Sequence, residues 1–240
     1  MNGMVSSLRI TCLSVENNRN EAEMKQLEEY QLIVSDMDGT LYYQRSLQVI
    51  MALQLVFSLG KKNGISELYM VYLFRKLREG CTDREDADQK LYETVAKKTG
   101  RNAAQVQAVI QKWIYQKPLQ YLACCQDLIL IERLSNLQKE HKEVAIYSDY
   151  PAQEKAKQLK LADIPCFYGG QPEISAFKPD PRGIRYIMSQ YGIEDPRQVI
   201  LIGDRMSRDG QAARQAGIDY VIVKKYKWQR KGQYRKWYRE

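Results

Sequence analysis

Leu32-Ile33-Val34-Ser35-Asp36-Met37-Asp38-Gly39-Thr40-Leu41 is an apolar run that stops abruptly at two carboxylates, a glycine and a hydroxyl. Four or five residues of this kind make a short strand buried on both faces, which belongs in the middle of a parallel sheet. Asp36 and Asp38 stand two positions apart, so a backbone that stays extended sends both side chains out on one side. Two carboxylates that close repel, and the pair calls for either a shared proton or a hard cation with oxygen ligands. Alone, the ten residues also suit a strand that ends in an ordinary Asp-Gly turn. The rest of the chain has to choose.

Downstream, the pattern is helical for nearly a hundred residues. Leu47 to Leu59, Ser66 to Leu77, Glu85 to Lys98 and Asn102 to Tyr115 each show three-to-four spacing, with Asn102 placed as an N-cap. Gly60, Gly64, Gly80 and Gly100 fall where the C-termini of these helices are expected. Leu128, Ile131, Leu134 and Leu137 mark one more amphipathic helix. From Val144 strands alternate with helices: strands at Val144–Tyr147, Cys166–Tyr168, Val199–Ile202 and Tyr220–Val223, and helices from Pro151 to about Leu161, around Ile184, Ile187 and Tyr191, and around Ala212, Ala213 and Ala216. That alternation predicts an α/β fold, a Rossmann-like parallel sheet with helices on both faces, and it sets the helical insertion apart as a small all-helical cap domain.

Ligands of open parallel sheets gather beyond the carboxyl ends of the strands. Asp36 and Asp38 follow the first strand, Ser148 the second and Asp204 the fourth, while Lys178 lies on the loop after the third and Asp209 lies five residues past Asp204. Four carboxylates, a lysine and a hydroxyl suit a hard divalent ion and a phosphoryl group. A carboxylate can attack phosphorus, a second can move the proton, a metal held by acidic oxygens offsets repulsion, and lysine and hydroxyl can bind the equatorial oxygens.

At these residues the chain resembles the haloacid dehalogenase-like hydrolase superfamily. Asp36-Met37-Asp38-Gly39-Thr40 looks like its D-x-D-G-T first motif, Ser148 its second, Lys178 its third, and Gly203-Asp204 with Asp209 its G-D-x-x-x-x-D fourth. The resemblance spans residues 31 to 223 with the motifs in order. It implies Asp36 as nucleophile, Asp38 as general acid and base, and Thr40, Ser148 and Lys178 as phosphoryl binders. It also implies Mg2+ held by the Asp36 carboxylate, the Asp38 backbone carbonyl and Asp204, with Asp209 binding directly or through water. The expected function is hydrolysis of a small phosphorylated metabolite, because family dehalogenases lack the second aspartate of the first motif. A mutase of the same fold would share these core residues. Phosphonatases of the family use a cap lysine; Lys61, Lys62 and Lys76 are available, but surface placement explains them better.

The expected organisation is a leader over 1–30, a discontinuous core over 31–44 and 120–223, a cap over 45–119 and a basic, aromatic tail over 224–240. The tail holds eight of the 37 Lys and Arg and one of the 29 Asp and Glu, which leaves 29 basic and 28 acidic residues elsewhere. Any basic function therefore belongs to the tail, whose cations and aromatics suit single-stranded nucleic acid or an anionic surface, or a terminal helix with its aromatics resting on the core. The apolar run Val49 to Leu59 is too short to span a bilayer, and the first thirty residues lack the pattern of a secretory signal. Five cysteines without a C-x-x-C read as reduced, buried thiols in a cytoplasmic protein. Tyr42, Tyr43 and Arg45 are placed either to line a substrate pocket or to pack the hinge of the cap, and Tyr69, Tyr72 and Tyr92 are expected in helix packing.

Overall fold

The computed structural model describes residues 27–60, 63–79 and 87–237. Five parallel strands, β1 (Leu32–Ser35), β2 (Glu143–Ser148), β3 (Cys166–Tyr168), β4 (Val199–Gly203) and β5 (Asp219–Ile222), lie in the order β3-β2-β1-β4-β5. β1 sits at the centre, with Leu32 opposite both Glu143 and Val199 and Ser35 opposite both Ile146 and Ile202. The chain moves outward from β1 to β3 on one side and then resumes at β4 on the other, so the crevice between β1 and β4 is the topological switch point of the sheet.

The inner strands are apolar along most of their length because each face is covered. Ile33, Val144, Ile146, Ile200 and Ile202 point into one buried cluster, and their neighbours Leu32, Val34, Ala145, Val199 and Leu201 point into the other. Helices α7 (Arg182–Gln190) and α8 (Gln211–Ala216) cover the second face with Ile184, Ile187, Ala212 and Ala213. The first face carries α5 (Leu128–Lys139), α6 (Gln153–Gln158) and the helices between β1 and β2.

Those intervening helices are α1 (Gln44–Ser58), α2 (Gly64–Glu79), α3 (Ala87–Thr99) and α4 (Ala103–Ile110). Asn102 caps α4 in a reciprocal capping box with Gln105. Gly100, at φ +65°, follows α3 as a left-handed stop, but Gly64 opens α2 instead of closing α1. Gly80 lies outside the described residues. The buried face of α1 is Leu47, Met51 and Leu55, and Phe74 of α2 stacks on Tyr92 of α3 at 5.6 Å. Tyr69 and Tyr72, expected in packing, are instead exposed, as is Phe57. The helices leave and rejoin the sheet through two adjoining segments. Tyr43 N donates to the Cys125 carbonyl at 2.7 Å, and Asp127 N donates to the Leu41 carbonyl at 2.9 Å.

Three boundaries differ from the periodicity. Leu128 is the first residue after the N-cap Asp127 and is exposed, and Leu130 takes its place on the buried face of α5. Pro151 precedes α6, whose N-cap is Ala152, and α6 ends at Gln158 because Lys160, at φ 60°, turns the backbone. Cys124 is exposed, unlike the buried Cys125, and Cys12 and Cys81 lie outside the described residues. Residues 1–26 of the leader and the lysines Lys61 and Lys62 also lie outside them, while its last residues form a turn, Leu27–Glu29, and bury Tyr30. No helix among the described residues is long and apolar enough to cross a membrane.

Candidate active site

The site is built where β1 ends. Asp36 N continues the ladder by donating to the Ile202 carbonyl at 2.8 Å, after which the chain turns through 38–41. Extended alternation therefore stops at Asp36, and the two carboxylates do not share partners as a continued strand would suggest. Asp36 is buried: Lys178 Nζ donates to its Oδ1 at 2.5 Å and Thr40 Oγ1 donates to its Oδ2 at 2.9 Å. Both oxygens of the carboxylate are thus held in a fixed orientation. Asp38 turns to Tyr42 and Lys155. Lys155 Nζ donates to its Oδ1 at 2.5 Å, and Tyr42 Oη donates to the same oxygen.

Lys178 lies at the bottom of the site with no exposed side chain, donating also to Asp209 Oδ1 at 2.6 Å and to the Tyr147 carbonyl at 3.3 Å. Burial favours the neutral amine, but Asp36 and Asp209 outweigh it and hold Lys178 charged. For Asp36 burial dominates and pushes the carboxyl up to about 7, with Lys178 pulling down and Asp209 pushing up. Asp204 is raised as well, by burial first and then by Asp209. Burial is the largest cause at both carboxyls, and Asp36, Asp204 and Asp209 add to it by crowding a single buried ammonium, which leaves the cluster short of positive charge. For Asp38 the balance is reversed, since burial raises it but Lys155 and Tyr42 outweigh burial and hold it ionised.

Ligand oxygens of Asp36, Asp204 and Asp209 lie within 4.8 Å of one another. Asp204 Oδ1 is buried without a hydrogen-bond partner, and the nearest cation, Arg205 Nε, stands off at 3.4 Å without hydrogen-bond geometry. An orphaned carboxylate oxygen in a cluster short of positive charge fits a hard divalent cation. Asp36 and Asp209 each have both oxygens in hydrogen bonds, Asp209 with Oδ1 on Lys178 and Oδ2 accepting from Arg205 N at 3.0 Å, so Asp204 is the one of the three with an unpartnered oxygen to offer. The glycines beside these acids leave no room for a side chain. A Cβ on Gly203 would stand 2.3 Å from Asp209 Cβ, and one on Gly39 would stand 2.3 Å from Asp204 Oδ2.

The sequence-predicted residues Asp36, Thr40, Lys178, Asp204 and Asp209 thus meet at the carboxyl ends of β1 and β4. Asp38 and the buried Ser148 flank them, and Ser148 Oγ accepts from Tyr150 N at 3.2 Å. Several residues around them were not singled out by the motifs. Asp149 accepts from Lys178 N at 3.0 Å and from Arg208 Nη1 at 2.5 Å, fixing the lysine from behind. Tyr42 touches Asp38, while Tyr43 and Arg45 pack at the hinge. Asp149 adjoins Ser148 and was open to reading as part of that motif; Lys155 carries no sequence signal, because only the fold brings α6 over Asp38.

The tail is a docked helix, α9 (Lys227–Trp237). Its exposed residues include Lys225, Lys227, Lys231 and a stacked pair, Tyr226 and Trp228, at 6.5 Å. Tyr234 rests in the core as a terminal-helix reading expects, but Arg230 is not a solvated cation: it is 1% exposed.

The family model described as haloacid dehalogenase-like hydrolase matches residues 30–217. None of the curated proteins matches the chain. Among solved structures, a 2-haloacid dehalogenase from Pseudomonas syringae pv. Tomato DC3000 aligns with TM-score 0.58 at 16% identity, covering 81% of this chain and 86% of that one. A predicted phosphoglycolate phosphatase from Haemophilus somnus 129PT aligns with TM-score 0.51 at 20% identity, covering 82% and 88%. An L-2-haloacid dehalogenase from Xanthobacter autotrophicus aligns with TM-score 0.53 at 16% identity, covering 81% and 77%. At these identities the likeness is one of fold.

Proposed function

The chain belongs to the haloacid dehalogenase-like hydrolase family, and from that premise we propose that it is a Mg2+-dependent phosphatase hydrolysing a small phosphomonoester through a phosphorylated Asp36. The observation that carries the choice of phosphate over halide is Asp38, a second carboxylate beside the nucleophile, held ionised by Lys155 and Tyr42. A halide leaves carbon without taking a proton, whereas the oxygen leaving phosphorus takes one up, and a second carboxyl beside the nucleophile can supply it.

In this reading Asp36 attacks phosphorus with a carboxylate whose oxygens Lys178 and Thr40 orient. Thr40 therefore acts through Asp36, its hydroxyl being spent there; the Lys178 ammonium, itself bonded to Asp36, Asp209 and the Tyr147 carbonyl, places its charge beside the developing one, and the Ser148 hydroxyl binds an equatorial oxygen. Asp38, protonated when the ester binds, gives its proton to the leaving oxygen and, in the ionised form that Lys155 and Tyr42 favour, takes one back from the attacking water. Asp36, Asp204 and the Asp38 carbonyl, with Asp209 directly or through water, would hold Mg2+, which would supply the positive charge the cluster lacks. Residues 31–44 and 120–223 form the catalytic core and 45–119 the cap that selects the substrate. The reading is tested on a panel of phosphate esters with Mg2+ or chelator. Turnover should require the metal and vanish in Asp36→Asn, and full activity in either condition would reject it.

A further inference from the structure

We infer that Arg230, on the C-terminal helix beyond the residues matched by the family model, is a positioning residue that latches the first-motif turn from behind and so aims Asp36. This rests on the phosphatase reading of that turn.

Arg230 is buried, and all three nitrogens of its guanidinium donate, through four hydrogen bonds. Nη2 donates to the Gly39 carbonyl, Nη1 donates to the Thr40 carbonyl at 2.7 Å and to Asp127 Oδ2 at 2.8 Å, and Nε donates to the Lys224 carbonyl at 2.5 Å. A buried guanidinium is costly unless its donors are satisfied, and arginine's planar fork can span two adjacent carbonyls where lysine's point charge cannot. The two carbonyls belong to the turn that the site depends on. Thr40 is gripped at its carbonyl by Arg230 and grips Asp36 Oδ2 with its hydroxyl at 2.9 Å, so a single residue separates the latch from the nucleophile. Gly39 adjoins the Asp38 carbonyl and is held at φ +94°.

The anchorage of the latch is independent of the site. Tyr234 Oη donates to the same Asp127 oxygen at 2.7 Å, and the Gln233 amide binds the Ile222 carbonyl at 2.9 Å and Lys224 N at 3.0 Å, tying α9 to the end of β5. Asp127 and Tyr43, whose ring lies 4.8 Å under the guanidinium, are the two chain segments through which the helical insertion joins the sheet. Arg230 therefore ties the nucleophile turn, both hinge segments and the last strand into one unit.

Two variants test this. Arg230→Met combined with Asp127→Asn removes both buried charges while leaving an oxygen to cap α5; Arg230→Lys keeps a charge facing Asp127 but lacks the fork. For each, kcat and KM for an aryl phosphate are measured beside amide exchange over 37–43. The latch predicts kcat lower by about tenfold to a hundredfold with KM little changed, partial recovery of kcat on adding guanidinium ion below denaturing concentrations, and faster exchange confined to 37–43. Unchanged kcat and exchange in folded variants would overturn it, as would a loss of stability with kcat intact. If the wild type turns over no phosphate ester, the exchange arm still decides: faster exchange at 37–43 upholds the latch and leaves only the phosphatase reading at fault.

Discussion

Replacing Gly39 with alanine tests whether the turn after β1 and the metal-side carboxylate are built against each other. The added Cβ would lie 2.3 Å from Asp204 Oδ2 and 2.8 Å from its Cγ. Carbon and oxygen come to rest at about 3.3 Å, so the Asp204 carboxylate has to retreat by about 1 Å. The alanine must also hold φ +94°, which glycine adopts freely and an L side chain adopts at a cost of about 1–2 kcal/mol. A displacement of about 1 Å at a catalytic group is worth about a hundredfold in rate, or roughly 2.7 kcal/mol of transition-state free energy. The assay is Mg2+-dependent hydrolysis of an aryl phosphate, titrated with metal, beside urea unfolding of the same preparation. The expected result is a hundredfold loss of kcat/KM, weaker half-saturation by Mg2+, and a stability loss smaller than the catalytic one. A Gly39→Ala protein with wild-type kcat and wild-type metal half-saturation would refute the placement of Asp204 against this turn.

Lys155→Ala removes the cation that most strongly offsets burial at Asp38, so the Asp38 carboxyl rises and the acid limb of the pH–rate profile for an aryl phosphate moves to higher pH; a limb that stays put or moves down contradicts the pairing. Glu67 ties α2 to the turn Gln111–Gln116 that follows α4 by accepting from Lys112 Nζ at 2.9 Å and Trp113 Nε1 at 2.6 Å, and these bonds outweigh burial to hold it below its usual range. A depressed carboxylate stabilises the fold above its unfolded value of 4.5 and loses that contribution as pH falls through the lower folded value. Glu67→Gln should therefore cost about 1–2 kcal/mol in denaturant unfolding at pH 7 and progressively less as pH falls toward 3, whereas a pH-independent cost would contradict the ionic account. Trp228→Ala with Lys225→Ala and Lys227→Ala spares Arg230 and tests the exposed tail: the docked-helix reading expects no salt-sensitive retardation of single-stranded RNA by the wild type, and retardation abolished by the triple variant would overturn it.

How far the sequence could be read depended on range. β1, β2 and β4 were legible because runs such as Val199–Ile202 are apolar at every position, which only a strand covered on both faces requires. Asp36, Lys178, Asp204 and Asp209 were legible because each sits at or just past a strand end, where topology alone brings them together. Asp38 was half legible: its presence marked the motif, but its side chain turns to Tyr42 and Lys155, and α6 contacts β1's turn only through the fold. Helix ends shifted where a cap overrode periodicity, as when Asp127 placed Leu128 outside and Leu130 inside. Arg230 was the least visible, because in a tail of eight cations nothing local distinguishes the one that will be buried under Gly39 and Thr40.

The central claim is that Asp36 carries the phosphoryl group between substrate and water. Asp38→Asn should leave Asp36 able to attack an aryl phosphate and slow the release of phosphate to water. Acid-quenched Asp38→Asn, incubated with Mg2+ and the aryl phosphate, is digested and its peptides are weighed. The account predicts one added phosphoryl group, on Asp36, absent when Asp36→Asn is introduced as well. Turnover of the ester by the wild type with no phosphorylated Asp36 in the trapped variant, or with the phosphoryl group on another residue, would contradict it.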